Sequence, residues 1–237
     1  MIMVYLTRLV PAFAVVAALA GPAIAAPKAV VLVACQTHDE TQEKADRDLL
    51  RKMPRDIKSP EAATMLPQLE SALAHAPDRP PLPEICGDAI NVYDRSLTPV
   101  GEQAEAIALY VKDHPDLAGK TIVRKPRLPY TSLAFWTSEL KAQAGDLDGA
   151  LKAADKGIAN DPDDPLMTSH KASVLYKLKR NDEAVALIDA YLAAHGEDPD
   201  LERSSRVSLL SRKLLSLHAL NRRDDMVAVE KEIDNYQ

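Results

Sequence analysis

The chain has 237 residues, a formal charge of −6, 46% apolar residues and only 4% aromatic ones. That acidic balance lacks the clustered basic face that nucleic acid demands, and no apolar run beyond the N-terminus reaches the ~20 residues that span a bilayer. Eight glycines in the whole chain leave little backbone for close approach to a cofactor, and the alanine-rich composition favours helices over sheets.

Met1 to Ala25 reads as a bacterial-type signal peptide, with Arg8, an apolar core from Leu9 to Ala20, a break at Gly21-Pro22 and the cleavage site Ala23-Ile24-Ala25. Cleavage before Ala26 leaves a mature chain from Ala26 to Gln237, more acidic by the loss of Arg8. The expected location is therefore periplasmic or secreted. Cys35 and Cys86 are the only cysteines, and in an exported chain such a pair is a disulfide candidate. The competing reading is Leu32-Val33-Ala34-Cys35, which resembles a lipobox. It makes the protein a lipoprotein acylated at Cys35 and excludes pairing with Cys86. Against it, Pro27-Lys28 leaves only Ala29 to Ala34 before the cysteine, short of the roughly 7–15 residues of an apolar signal core.

Ala29 to Ala34 is a Val-rich run that predicts a short strand. Gln36 to Arg55 is strongly charged, with Leu49, Leu50 and Met53 at helical spacing. Pro60 to Ala76 continues that periodicity behind Ser59 as N-cap. Asp78-Arg79-Pro80-Pro81-Leu82-Pro83 is a stiff connector. Thr98-Pro99 opens a helix running to His114-Pro115, and Lys120 to Pro129 is a loop with an extended piece at Thr121-Ile122-Val123. From Tyr130 onward everything reads helical. The boundaries are thus residues 26–129 for a mostly helical N-terminal region and 130–237 for a second domain.

That second domain repeats itself. Gly145-Asp146-Leu147-Asp148-Gly149-Ala150 and Lys179-Arg180-Asn181-Asp182-Glu183-Ala184 open two helices 34 positions apart. Behind them come Leu151, Ala154 and Ile158 in one and Val185, Ile188 and Leu192 in the other. Turns follow at Asp161-Pro162-Asp163-Asp164 and Gly196-Glu197-Asp198-Pro199. A third unit stands at an offset of 42, where Lys171, Leu175, Leu178 and Val185 recur as Lys213, Leu217, Leu220 and Val227.

The period, turn prolines and apolar phase resemble tetratricopeptide repeats. The resemblance implies a mostly all-α protein whose C-terminal half is a solenoid of antiparallel helix pairs. It places a groove on the first helices, lined by Phe135, Glu139, Ser169, Ser173, Tyr176, Ser211 and His218. It implies a protein or peptide partner, possible membership of an envelope complex, and no catalysis. Three positions depart from the pattern: Met226 replaces a small residue, Lys141 an aromatic or Leu, and Gly157 stands where the next repeat has Tyr191. Leu69, Ala72, Leu73 and Pro77, like Ala104, Ile107, Ala108 and Pro115, mimic the end of a second helix. Self-association through Met226 to Tyr236 is the blander role.

A rival enzyme reading rests on Val30 to His38 followed by Leu97-Thr98-Pro99-Val100-Gly101, which faintly resembles exported histidine phosphatases. The family's Arg-His-Gly is absent, and His38 sits beside Asp39 and Glu40, which repel phosphate. The N-terminal half would then be a degenerate enzyme remnant. The six histidines are isolated, without metal-ligand spacing, so no metal, cofactor or catalytic residue is expected.

Overall fold

The computed structural model describes residues 31–35, 39–96, 100–196 and 201–236. The signal segment, His38 and Leu97-Thr98-Pro99 lie outside them. Among the described residues no helix is long and apolar enough to cross a membrane.

Asp39 accepts from the backbone N–H groups of Thr41 and Gln42 and opens α1 (Glu40–Arg51), with Glu40 and Glu43 at its positive end. Ser59 caps α2 (Pro60–Thr64) ahead of Pro60. The continuous helix expected through Ala76 breaks at Met65 and resumes as α3 (Leu66–Ala74). Pro67 explains the break, since it removes one backbone donor and crowds the carbonyl four residues back.

The sheet is more extensive than one strand and one extended piece. It holds β1 (Val33–Ala34), β2 (Glu84–Cys86), β3 (Ala89–Tyr93) and β4 (Thr121–Lys125), in that order. The outer pairs β1–β2 and β3–β4 are parallel, whereas β2 and β3 form an antiparallel hairpin at the centre. Its turn uses Gly87 at φ 58°, which favours glycine. Cys35 and Cys86 are joined by a disulfide that ties the end of β1 to β2. α4 (Val100–Lys112) is the crossover between the parallel strands β3 and β4.

Side-chain alternation makes the sheet a middle layer. Ile90 and Val92 pack with Ile107 of α4 on one face. Tyr93 turns to the other and joins Leu69, Leu73, Leu128, Tyr130 and Leu133. This second cluster runs across position 130, so the N-terminal half and the first helix pair share one core.

Three helix pairs follow: α5 (Tyr130–Gln143) with α6 (Leu147–Asn160), α7 (Pro165–Lys177) with α8 (Asn181–His195), and α9 (Arg203–Ala219) with α10 (Arg223–Asp234). Each pair turns through the same device. Gly145, Lys179 and Asn221 are left-handed at φ 84°, 59° and 56°. The next N–H, of Asp146, Arg180 or Arg222, then donates to the carbonyl five residues back at 2.9, 2.9 and 3.1 Å. This closes the first helix and reverses the chain. From one turn to the next the spacing follows the two offsets of the sequence repeat, the shorter and then the longer.

Cross-links between pairs recur too. Lys171 of α7 reaches Asp155 of α6 at 2.7 Å, and Lys213 of α9 reaches Asp189 of α8 at 2.6 Å. Lys141 of α5 reaches Glu70 of α3 at 2.5 Å, so α3 packs on α5 as α6 packs on α7. Of the two segments that mimic a second helix, α3 takes that place and α4 instead covers the sheet. Gly157 is small because a Cβ there would come 2.8 Å from the Met167 sulfur and 2.9 Å from the Ala134 methyl.

Lys179→Gly is expected to raise the unfolding free energy by about 0.5–1 kcal/mol, the relief of left-handed strain less the added entropy of the unfolded chain. Urea unfolding checks it. A lowered midpoint would mean that the lysine side chain compensates for its backbone.

Candidate functional site

The first helices α5, α7 and α9 lie side by side, with α7 in the middle. Ser169 of α7 meets Ser208 of α9 at 3.1 Å between hydroxyls. Small side chains let the two helices close there, and Ser169 is buried in the seam.

Further along the groove α5 and α7 hold a polar cluster. His170 Nε2 lies 2.7 Å from the Ser138 hydroxyl, which donates its own hydrogen to the Ala150 carbonyl at 2.7 Å. That hydrogen being committed, His170 must donate from Nε2. Its Nδ1 then faces Glu139 Oε2 at 3.6 Å. Burial pushes the imidazole down to about 4, with Lys177 and Arg212 acting in the same direction and Glu139 against them. The Phe135 ring packs on His170 at 4.9 Å between centroids. Ser138, His170 and Glu139 have the order of a hydrolytic relay. Ser138 is fully buried, however, and its hydrogen is bound to backbone. It cannot attack a substrate, and the cluster fixes the spacing of two helices.

The expected groove residues therefore divide. Phe135 and Glu139 come together at His170. Ser173 and Ser211 donate their hydroxyls to the carbonyls of Ser169 and Val207, four residues back. Tyr176 and His218 are exposed, each near the end of its helix. Trp136 packs against the first pair's core. The sequence reading misses two exposed leucines on the same helix faces: Leu166 and Leu215, 60% and 45% exposed. Leu166 shares a cleft of about 270 Å³ with Phe135 and Arg127. Leu215 stands on the Ser211–His218 face, at the position that answers Ser173 by the offset of the third unit.

Beside this cleft an ionic network joins the halves. Arg127, just before α5, pairs with Asp164 and with Asp161 at 3.0 Å. Ser96 donates to Asp161 from its N–H at 3.2 Å and its hydroxyl at 3.0 Å. Arg95 holds Asp163 at 3.0 Å, and His195 lies 3.5 Å from the same carboxylate. Burial pushes the Asp161 carboxyl up, against the pull of Arg127 and Ser96. As to metals, Cys35, Glu84 and Cys86 are grouped among the described residues, but the disulfide removes both thiolates as ligands.

Helix pairs stacked through matching turns and cross-links define a helical-repeat protein, a class that offers an extended concave face to other proteins. Residues 141–203 match the tetratricopeptide repeat family, a stretch holding the left-handed turns at Gly145 and Lys179. The C-terminal half is a tetratricopeptide-like array, a fold of interaction scaffolds. No curated protein matches the chain. Among solved structures, the chain is similar to the nearly identical TPR-like repeats of a Podosopora anserina protein provisionally called a kinesin light chain. Identity is 12%, coverage is 84% of each chain and the TM-score is 0.41.

Proposed function

We propose that this protein is exported and holds a protein or peptide partner against the concave face of α5, α7 and α9, as part of an envelope complex. The observation that carries the reading is the pattern of that face. Leu166, Tyr176 and Leu215 stand open to solvent while its one relay-like cluster is locked into the helix packing. Such a surface can bind a partner, and the Ser138 hydroxyl of its cluster is committed to the Ala150 carbonyl. The signal-like N-terminus and the Cys35–Cys86 bond support export, because disulfides persist in oxidising compartments. The bond also speaks against acylation of Cys35. A phosphatase-like remnant would show a central parallel sheet starting at Ala29, whereas the sheet of the described residues is mixed, with two parallel pairs flanking an antiparallel hairpin.

The test is a crosslinked pull-down from envelope extract, wild type beside a Phe135→Ala, Tyr176→Ala double variant. A partner held by the wild type and lost by the folded variant is expected. Equal capture by both would end the groove reading.

A further inference from the structure

The geometry points to a second state of the Cys35–Cys86 pair, in which the reduced cysteines and Glu84 hold a divalent ion of zinc's class. Glu84 and Cys86 stand two residues apart on β2 and so share one face of the sheet. Cys35 follows β1 and donates its backbone N–H to the Ile85 carbonyl at 3.0 Å, which brings it level with Cys86. Both sulfurs and a carboxylate oxygen of Glu84 lie within 4.8 Å of one another. Donors around a tetrahedral zinc stand about 3.5–3.8 Å apart, given bonds of roughly 2.0–2.3 Å. Breaking the sulfur–sulfur bond lets the three open to that spacing.

The inner ligands are held by the next strand. Glu84 is 1% exposed, a depth at which carboxylates are kept as partners of charges, donors or metal ions. Its Oε1 accepts from the Tyr93 hydroxyl at 2.6 Å, and Tyr93 is itself fixed in the core that includes Leu69, Leu73 and Leu133. The Asn91 side-chain amide donates to Cys86 Sγ at 3.4 Å. Glu84 and Cys86 thus each have an orienting partner on β3, as metal ligands require. Cys35 is exposed and Cys86 half-buried, so the sulfurs are the side from which an ion enters and from which water supplies its fourth ligand. Two sulfurs and one carboxylate oxygen suit zinc and not magnesium or calcium.

A dithiol reductant opens the bond in two exchanges. Its first thiolate attacks the exposed Cys35 sulfur, and Cys86 leaves as a thiolate. Its second thiolate then attacks the reductant's own sulfur in that mixed disulfide, and Cys35 is released. The reductant departs as a disulfide, the cysteine pair gains two electrons and two protons, and the ion displaces both protons as it binds. The exchange has a structural consequence. β1 is a two-residue strand at the edge of the sheet, and the disulfide ties it to β2. In the reduced chain the metal takes over that tie, so β1 stays in place in either state.

The test reduces the whole chain with a phosphine, removes the excess without air and titrates the protein with cadmium chloride. Thiolate-to-cadmium charge-transfer absorbance should grow up to one equivalent and fall when zinc chloride is added. The oxidised chain should show none. Glu84→Gln should bind cadmium about tenfold more weakly. If that variant does not fold by circular dichroism, Glu84→Asp, whose carboxylate is drawn back by one methylene, is read in the same way. The proposal is overturned if the reduced chain gives no such absorbance, or if the Glu84 variant binds as tightly as wild type, which would leave the thiols as the whole site. Loss of the folded circular-dichroism signal on reduction, with zinc chloride present, overturns it as well.

Discussion

Arg127→Met is expected to lower the unfolding free energy by about 3 kcal/mol, the cost of leaving a buried charge without its partner. Asp161 is 3% exposed, and besides Arg127 it has the two hydrogen bonds from Ser96. Its Oδ1 has no hydrogen-bond partner. Removing the guanidinium leaves this carboxylate in low dielectric beside Asp164, which also loses its pair. The effect sits at the lower end of the range for broken buried pairs because the Arg127 side chain is about a third exposed. Urea unfolding should show a lower midpoint at nearly constant slope.

Two companions sharpen the result. Adding Asp161→Asn to Arg127→Met should recover part of the loss, since it removes the orphaned charge. Acid should also narrow the deficit of the single variant. A carboxyl pushed up by burial binds its proton more tightly in the folded state, so stability is regained as pH falls through that raised value. An unchanged midpoint in Arg127→Met would mean that the network contributes nothing to joining the halves.

His170 should produce the second large effect, this time in the native protein. Its imidazole is pushed from an ordinary 6.5 down to about 4, a linkage of about 3 kcal/mol. A base whose folded value is depressed charges more readily when unfolded. Its stabilising contribution is therefore complete above about pH 6.5 and is lost as pH falls toward 4. Glu139 on α5 moderates the penalty, while Lys177 on α7 and Arg212 on α9 deepen it. His170→Gln, which keeps a donor for Ser138, should lack this limb. Its stability relative to wild type should improve by about 3 kcal/mol between pH 7 and pH 4. An NMR titration of His170 with a midpoint near 6.5 would refute the account.

The repeat is legible in the sequence because its signals are local. A turn and an apolar stripe fall within about a dozen residues, and the same set recurs one period on. Less can be read where placement depends on distant partners. Asp161 to Asp164 look like a polar turn in sequence, yet they answer Arg95 and Arg127, tens of residues upstream. The hairpin strands are faint because Glu84–Cys86 is short, follows a proline-rich segment and has no apolar alternation. Ala89–Tyr93 does alternate, with Ile90 and Val92 inward, but a single run of that length is a weak signal. In the groove, helical register identifies the face and not the depth. Ser169 belongs to the face but sinks into the α7–α9 seam.

The way α3 and the sheet adjoin α5 gives the array a polarity. At that side Leu69, Leu133 and Ala134 are fully enclosed in a core that reaches from α2 to α6. At the other, α10 rests on α9 with Val229 as its one buried residue and Val227 about half exposed. In a stack whose units are held by their neighbours, opening begins where the fewest neighbours exist. The array is thus expected to open first at α10, and Leu215 lies on the helix next to it. A ligand seated on α9 is expected to oppose that opening as it binds, so occupancy would be read as added protection of the last helix pair.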